Sequence, residues 1–287
     1  MRAAVSRRAA VWYNNLVKSM RREGIKVRGA GMPTLIETDT PEQCARLCRE
    51  LGLDFIELNM NLPDYQAGAL DIRRFNALAA RYHIYYTIHL DENLNVSDFN
   101  PYVRQAYLRT VQSAMETAKR LGAPVINMHL AAGVYFTLPG QRVYLFERYM
   151  DRYLQSIADF RDACERAAGQ SGITVCVENC AGYTAWQKRA LRLLLKSPVF
   201  ALTYDIGHDH ASGGKDGAFI MAHAGKLRHM HMHDALGAQD HLALGAGEIA
   251  LKEYLDLASA HNCRVVLETK TVAGLTQSAA WLREHGF

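Results

Sequence analysis

The sequence predicts an α/β fold of one large domain, a (β/α)8 TIM barrel, on two observations. Strand-like and helix-like segments alternate eight times along the chain, which matches the count and size of that architecture. Seven of the eight strand-like segments also carry His, Asp or Glu at or near their C-terminal ends. Buried strands avoid such groups, but in a closed barrel these ends converge on the mouth where active sites lie.

The first strand is expected at Val27–Gly31. A helix follows from about Thr40, with Pro41 in its first turn, and Gly52 ends it. Phe55–Asn59 is the second strand, followed by a helix from about Asp71 to Arg81. Tyr85–His89 is the third, and a helix over Pro101–Leu121 closes at Gly122. Val125–His129 is the fourth, with a helix expected from about Gln141 to Ala168. Thr174–Asn179 is the fifth, with a helix over 184–196, and Phe200–Asp205 is the sixth, with a helix near 216–224. Leu227–His233 is the seventh, with a helix from about Leu251 to His261. Arg264–Glu268 is the eighth, and a last helix runs to the C-terminus. A doubly wound open sheet fits less well, because no Gly-x-Gly-x-x-Gly follows the first strand.

The charge is uneven. The 287 residues net +4, yet residues 1–26 carry Arg2, Arg7, Arg8, Lys18, Arg21, Arg22 and Lys26 against Glu23 alone, so the body over 27–287 nets −2. Val5, Ala9, Trp12, Leu16 and Met20 recur at helical spacing, which marks 1–26 as a basic, helical extension. The six cysteines are scattered without a Cys-x-x-Cys pair, the pattern of a reduced, cytoplasmic protein. No apolar run is long enough for a membrane span or shaped as a secretory signal.

The segment His229-Met230-His231-Met232-His233-Asp234, followed by Asp240-His241 and Gly245-Ala246-Gly247-Glu248, is the most informative stretch. Alternation puts His229, His231 and His233 on one face. Glu57, His89, His129, Glu178, Asp205, His231 and Glu268 would meet at one mouth, and carboxylates so close would repel one another. A divalent cation resolves that conflict. Imidazole and carboxylate ligands suit Zn, Mn, Co or Fe better than Ca. By parity, Cys180 lies near Glu178, Lys270 near Glu268 and Asn59 near Glu57.

At these residues the chain resembles the xylose isomerase-like barrel superfamily, which includes sugar phosphate isomerase/epimerase proteins and the apurinic endonuclease IV family. The resemblance covers roughly residues 27–284. It is most specific at Val177-Glu178-Asn179, Asp205-Ile206-Gly207-His208 and the seventh-strand segment through Gly247. It implies a metal held by Glu178, Asp205, His231 and Glu268. It further implies a second metal at His89 and His129 with Glu178, and a third at His208 and His241. The trinuclear pattern expects a carboxylate two residues before the last His. That place is Gln239, and Asp240 is one residue off.

Both isomerase and nuclease chemistries use this barrel, so fold alone does not decide. The body is net acidic, Asp91 and Glu92 follow His89, and the strand-end loops carry no concentration of Arg and Lys. These features disfavour binding to a phosphate backbone. The expectation is a metal-dependent isomerase or epimerase of a small sugar or related hydroxy-carbonyl compound, working by enediolate-type proton transfer. The alternatives are a metal-dependent phosphodiesterase acting on DNA and a lyase on the same scaffold. Glu178 and Glu268 are the expected base and acid, and His208 is expected to bond a substrate oxygen if it holds no metal. Glu57, Asn59, His89, His129 and Lys270 are expected to contact substrate. A carbohydrate-like small molecule is the expected partner, with no membrane and with a homo-oligomer as the family's habit.

Overall fold

A computed structural model describes residues 27–287; the helical extension expected over 1–26 lies outside the described residues. Eight parallel strands close into a barrel in the order β1-β12-β9-β8-β7-β4-β3-β2. They are β1 (Ala30–Pro33), β2 (Phe55–Asn59), β3 (Tyr85–His89), β4 (Val125–His129), β7 (Thr174–Glu178), β8 (Phe200–Asp205), β9 (Leu227–Met232) and β12 (Arg264–Leu267). Two antiparallel hairpins lie outside the barrel, β5 (Tyr135–Leu138) with β6 (Gln141–Tyr144), and β10 (Asp234–Leu236) with β11 (Gln239–Leu242).

Helix ends follow local chemistry. Thr40 caps Pro41–Glu50 by accepting from the Gln43 N–H, and Asn100 caps Pro101–Leu121 by accepting from Tyr102. Gly122 ends the latter in the left-handed region (φ 67°). Thr184 and Gln187 form a reciprocal capping box on Ala185–Leu194.

Two expectations are corrected. The first strand is Ala30–Pro33 rather than Val27–Gly31. It pairs Gly31 with Phe55, and a Cβ at Gly31 would stand 2.5 Å from that ring. The helix expected from Gln141 begins later. Residues 135–144 form the β5–β6 hairpin, Leu145–Arg148 is one helical turn, and the long helix is Met150–Ala168. Tyr, Phe, Thr and Val on both sides of a Pro139-Gly140 turn favour strand pairing, and the Tyr135 and Tyr144 rings meet at 5.3 Å. The helix expected near 216–224 is present as Gly217–Ala222, and a short helix that the sequence did not announce, Ile206–Ala211, directly follows β8.

Outward-facing strand residues such as Leu58, Ile88, Met128, Val177, Leu202, Met230 and Leu267 are buried in the main apolar core that also takes in helix residues. The barrel interior is unusual. Such interiors are commonly filled by Val, Ile and Leu, but here Thr87, Asn127, Thr203 and His229 are all fully buried. Val125, Cys176 and Ala201 make a small separate apolar cluster. No described helix is long and apolar enough to cross a membrane.

Candidate metal centre

Register brings the strand ends to a common level. His129 pairs with Glu178 across β4 and β7, and Asp205 pairs with His231 across β8 and β9. Glu268 directly follows β12, its N–H donating to the Met232 carbonyl at 3.0 Å. One ligand atom each from Glu178, Asp205, His231 and Glu268 falls within a 4.8 Å span of the others. His231 Nδ1 lies 2.6 Å from Glu268 Oε2, 3.3 Å from Glu178 Oε1 and 4.0 Å from Asp205 Oδ2. Glu178, Asp205 and His231 are buried and Glu268 is 15% exposed at the rim.

The imidazoles are locked by partners on their far sides. His89 Nδ1 donates to the Leu90 carbonyl at 2.7 Å, leaving the Nε2 lone pair 3.4 Å from Glu178 Oε2. His231 Nε2 donates to Glu57 Oε1 at 2.7 Å, leaving Nδ1 for the cluster. His241 Nδ1 donates to Asp240 Oδ1 at 2.8 Å, leaving Nε2 3.7 Å from Glu268 Oε1. Outer partners that fix which nitrogen faces inward are the habit of metal-ligating histidines.

The residues therefore fit a divalent cation. His129 Nε2, His208 Nδ1, His231 Nδ1, His241 Nε2 and Glu268 Oε2 are buried without a hydrogen-bond partner. Orphaned polar atoms are costly singly, and five turned to one mouth ask for an ion. Charge gives the same answer. Burial opposes charge on His89, yet the hydrogen bond and field of Glu178 outweigh it and lift the ring to about 9. Burial likewise works against His231, and Glu178, Glu268 and Glu57 drive it well above its ordinary value. The carboxylates demand positive charge at this spot, from protons or from a metal.

Beneath the cluster the polar interior acts as a support. Thr203 donates to Asn127 Oδ1 at 2.5 Å, and the Asn127 amide donates to Glu178 Oε2. Asn179 clasps the Asp205 backbone, donating to its carbonyl at 2.8 Å and accepting its N–H at 2.9 Å. Asn127 went unremarked in the sequence, although it shares parity with His129.

Not every expected residue reaches the mouth. Glu57 was expected to touch substrate, but it is only 2% exposed and is engaged by Thr87, His229 and His231 below the cluster. Asn59 is half-buried, and its side-chain oxygen accepts from the Asn61 backbone and amide. The triple-His face is real, but its members sit at different heights. His229 lies deepest, against Glu57, and His231 is at the cluster. His233 is above, its Nδ1 accepting the His241 N–H at 2.7 Å and its Nε2 donating to Asp205 at 3.1 Å. With both nitrogens used, His233 orients Asp205 and offers no free lone pair to the group it forms with His208 and His241. His129, His208 and His241 are 18–19% exposed at the rim. Lys270 is exposed, with Nζ 3.0 Å from Glu268 Oε1. Cys180 lies near the carboxylates; burial, then Glu178 and Asp205, push its thiol up.

A family model described as a xylose isomerase-like TIM barrel matches residues 45–285. The uncharacterized protein MJ1614 of Methanocaldococcus jannaschii is 26% identical over 206 residues, covering 69% of this chain and 76% of the relative. A D-tagatose 3-epimerase-like protein of known structure aligns with a TM-score of 0.74 at 20% identity, over 90% of this chain and 96% of that one. The IOLI protein, solved with a zinc atom bound, aligns with a TM-score of 0.68 at 16% identity, over 90% and 97%. At these identities the structural likenesses speak to the fold.

Proposed function

This chain belongs to the xylose isomerase-like TIM barrel family, and from that premise we propose that it is a metal-dependent isomerase or epimerase of a small sugar or related hydroxy-carbonyl compound. The observation that carries the proposal is the set Glu178, Asp205, His231 and Glu268, in which three carboxylates gather around one imidazole. The epimerase-like name of the D-tagatose 3-epimerase-like structure and the zinc in the IOLI structure support it.

Glu178, Asp205, His231 and Glu268 would hold a divalent ion there, and when bound it would supply Lewis-acid polarisation of a carbonyl and its neighbouring hydroxyl and offset the negative charge that develops as an α-proton leaves. An imidazole and carboxylate set suits Zn, Mn, Co or Fe. Asp205 and His231 are fixed ligands, braced by Asn179 and Glu57. Glu178 and Glu268 take and return the proton on opposite faces of the substrate. Glu268 is the more accessible of the two, and its Oε1 faces the open side beside Lys270. Lys270 orients a substrate oxygen, and His208 hydrogen-bonds another. His129 and His241 line the rim around the substrate, and His89 is buried beside Glu178. The partner is a carbohydrate-like molecule, and the free thiols of the described residues suit a reducing cytoplasm.

Incubation with candidate ketoses in deuterated solvent is the test. The wild-type protein should exchange a substrate C–H, and Glu178→Gln and Glu268→Gln should each lose that exchange by about 100-fold or more. Lack of exchange with every ketose in the metal-loaded protein would remove the proposal. One observation favours a second reading, a phosphodiesterase: His89, His129 and Glu178 form another group able to take an ion beside the first, as paired-metal chemistry requires. Nicking of abasic duplex DNA, with no C–H exchange, would select it.

A further inference from the structure

We propose that Glu57 is a positioning residue: by holding the Nε2 proton of His231 it commits the Nδ1 lone pair to the mouth cluster and so sets where the ion is held. This rests on the metal-dependent reading of that cluster and adds the residue that selects among its overlapping ligand groups. Two groups share His231. One is Glu178, Asp205, His231 and Glu268; the other, deeper, is Glu57, His229 and His231. A neutral imidazole has one lone pair, so His231 serves one group or the other.

The contacts decide between them. Glu57 Oε1 is 2.7 Å from His231 Nε2. The other oxygen, Oε2, is held by Thr87 Oγ1 at 3.1 Å and by His229 Nε2 at 2.9 Å. Both carboxylate oxygens are thus occupied by donors, and the group sits in the barrel interior with no access from the mouth. On the other side, His231 Nδ1 has no hydrogen-bond partner and faces two glutamates and an aspartate. A carboxylate on the far nitrogen of a ligating imidazole fixes its tautomer and raises its basicity. Glu57 also stands below the mouth cluster, where its charge would strengthen the hold on a cation without occupying a coordination position.

The test measures metal affinity, independently of turnover. Zinc and manganese are titrated into the full chain against a chromophoric chelator, for wild type, Glu57→Gln and Glu57→Asp. Glu57→Gln should weaken binding by about 10- to 100-fold, and Glu57→Asp, which keeps the charge and acceptor, should recover part of the loss. Nitrogen NMR of imidazole-labelled, zinc-loaded wild type supplies an arm that needs no variant. A predominantly Nε2-protonated His231 supports the proposal, and an Nδ1-protonated ring overturns it. Affinity within twofold of wild type in Glu57→Gln also overturns it, as does an anomalous peak between Glu57 and His229. A wild-type protein that binds no metal at all would instead defeat the reading on which this rests, so the two failures are distinguishable.

Discussion

His231 Nδ1 and Glu268 Oε2 stand 2.6 Å apart, and neither has a hydrogen-bond partner outside the cluster. Two buried lone pairs at that separation repel unless positive charge lies between or beside them. Glu268→Gln removes the charge while keeping the shape. Divalent metal binding to this variant should weaken by at least about tenfold, measured by calorimetric titration. A variant that binds as tightly as the parent would show that Glu268 is not a ligand.

The seventh-strand turn depends on Asp234, which is 1% exposed. Its Oδ1 accepts the N–H groups of Ala235 and Ile249 at 2.9 and 3.0 Å, and its Oδ2 those of Gly245 and Gly247 at 3.1 and 2.9 Å. This ties the β10–β11 hairpin, and with it His241, to the barrel rim. Asp234→Ala leaves four backbone donors without their acceptor and should cost about 2–4 kcal/mol, read from urea unfolding. A loss under about 0.5 kcal/mol would mean that water replaces the carboxylate freely.

Gly207 leaves room for the ring that steadies Asp205. A Cβ there would stand 2.0 Å from His233 Cε1. Gly207→Ala should therefore displace His233, release Asp205 and lower metal affinity by about tenfold. Crystallography of the variant would show whether the His233–Asp205 hydrogen bond at 3.1 Å is broken; an unmoved ring would contradict this.

Stability of the metal-free protein should fall as pH rises from about 6.5 to 9. His89 is lifted from 6.5 to about 9, against burial, by Glu178, and His231 is raised in the same sense. A folded-state value above the unfolded one gives stability that is complete below 6.5 and lost as pH passes through the folded value. His229 moves the other way, lowered first by burial, so it acts only below this window. Metal ligation needs neutral imidazoles, so saturating zinc should strengthen with pH over the same range. Thermal melts at pH 6.5 and 9, with and without zinc, check both signs. A metal-free melting point that rises toward pH 9 would contradict the account.

Much of the barrel was legible because its signals are local. Thr40 before Pro41, and Gly122 after Leu121, mark helix ends that the structure repeats. Glu178, Asp205, His231 and Glu268 announced themselves as strand-end residues that no buried sheet would choose. What escaped depends on height along the barrel axis, which alternation does not encode. Parity put Glu57 and His229 on the right face, but only the register of β2 against β3 and of β9 against β12 places them below the mouth cluster. The β5–β6 hairpin was hidden by the long helical pattern that follows it, although Pro139-Gly140 was a readable turn. Asn127 was missed because one amide in an apolar strand carries no signal until Thr203 and Glu178 are seen on either side of it.

Anomalous diffraction from a crystal equilibrated with manganese or zinc tests the central claim most directly. The strongest peak is predicted within coordination distance of Glu178, Asp205, His231 and Glu268 together. A crystal with metal elsewhere and only water among those four side chains would contradict the account.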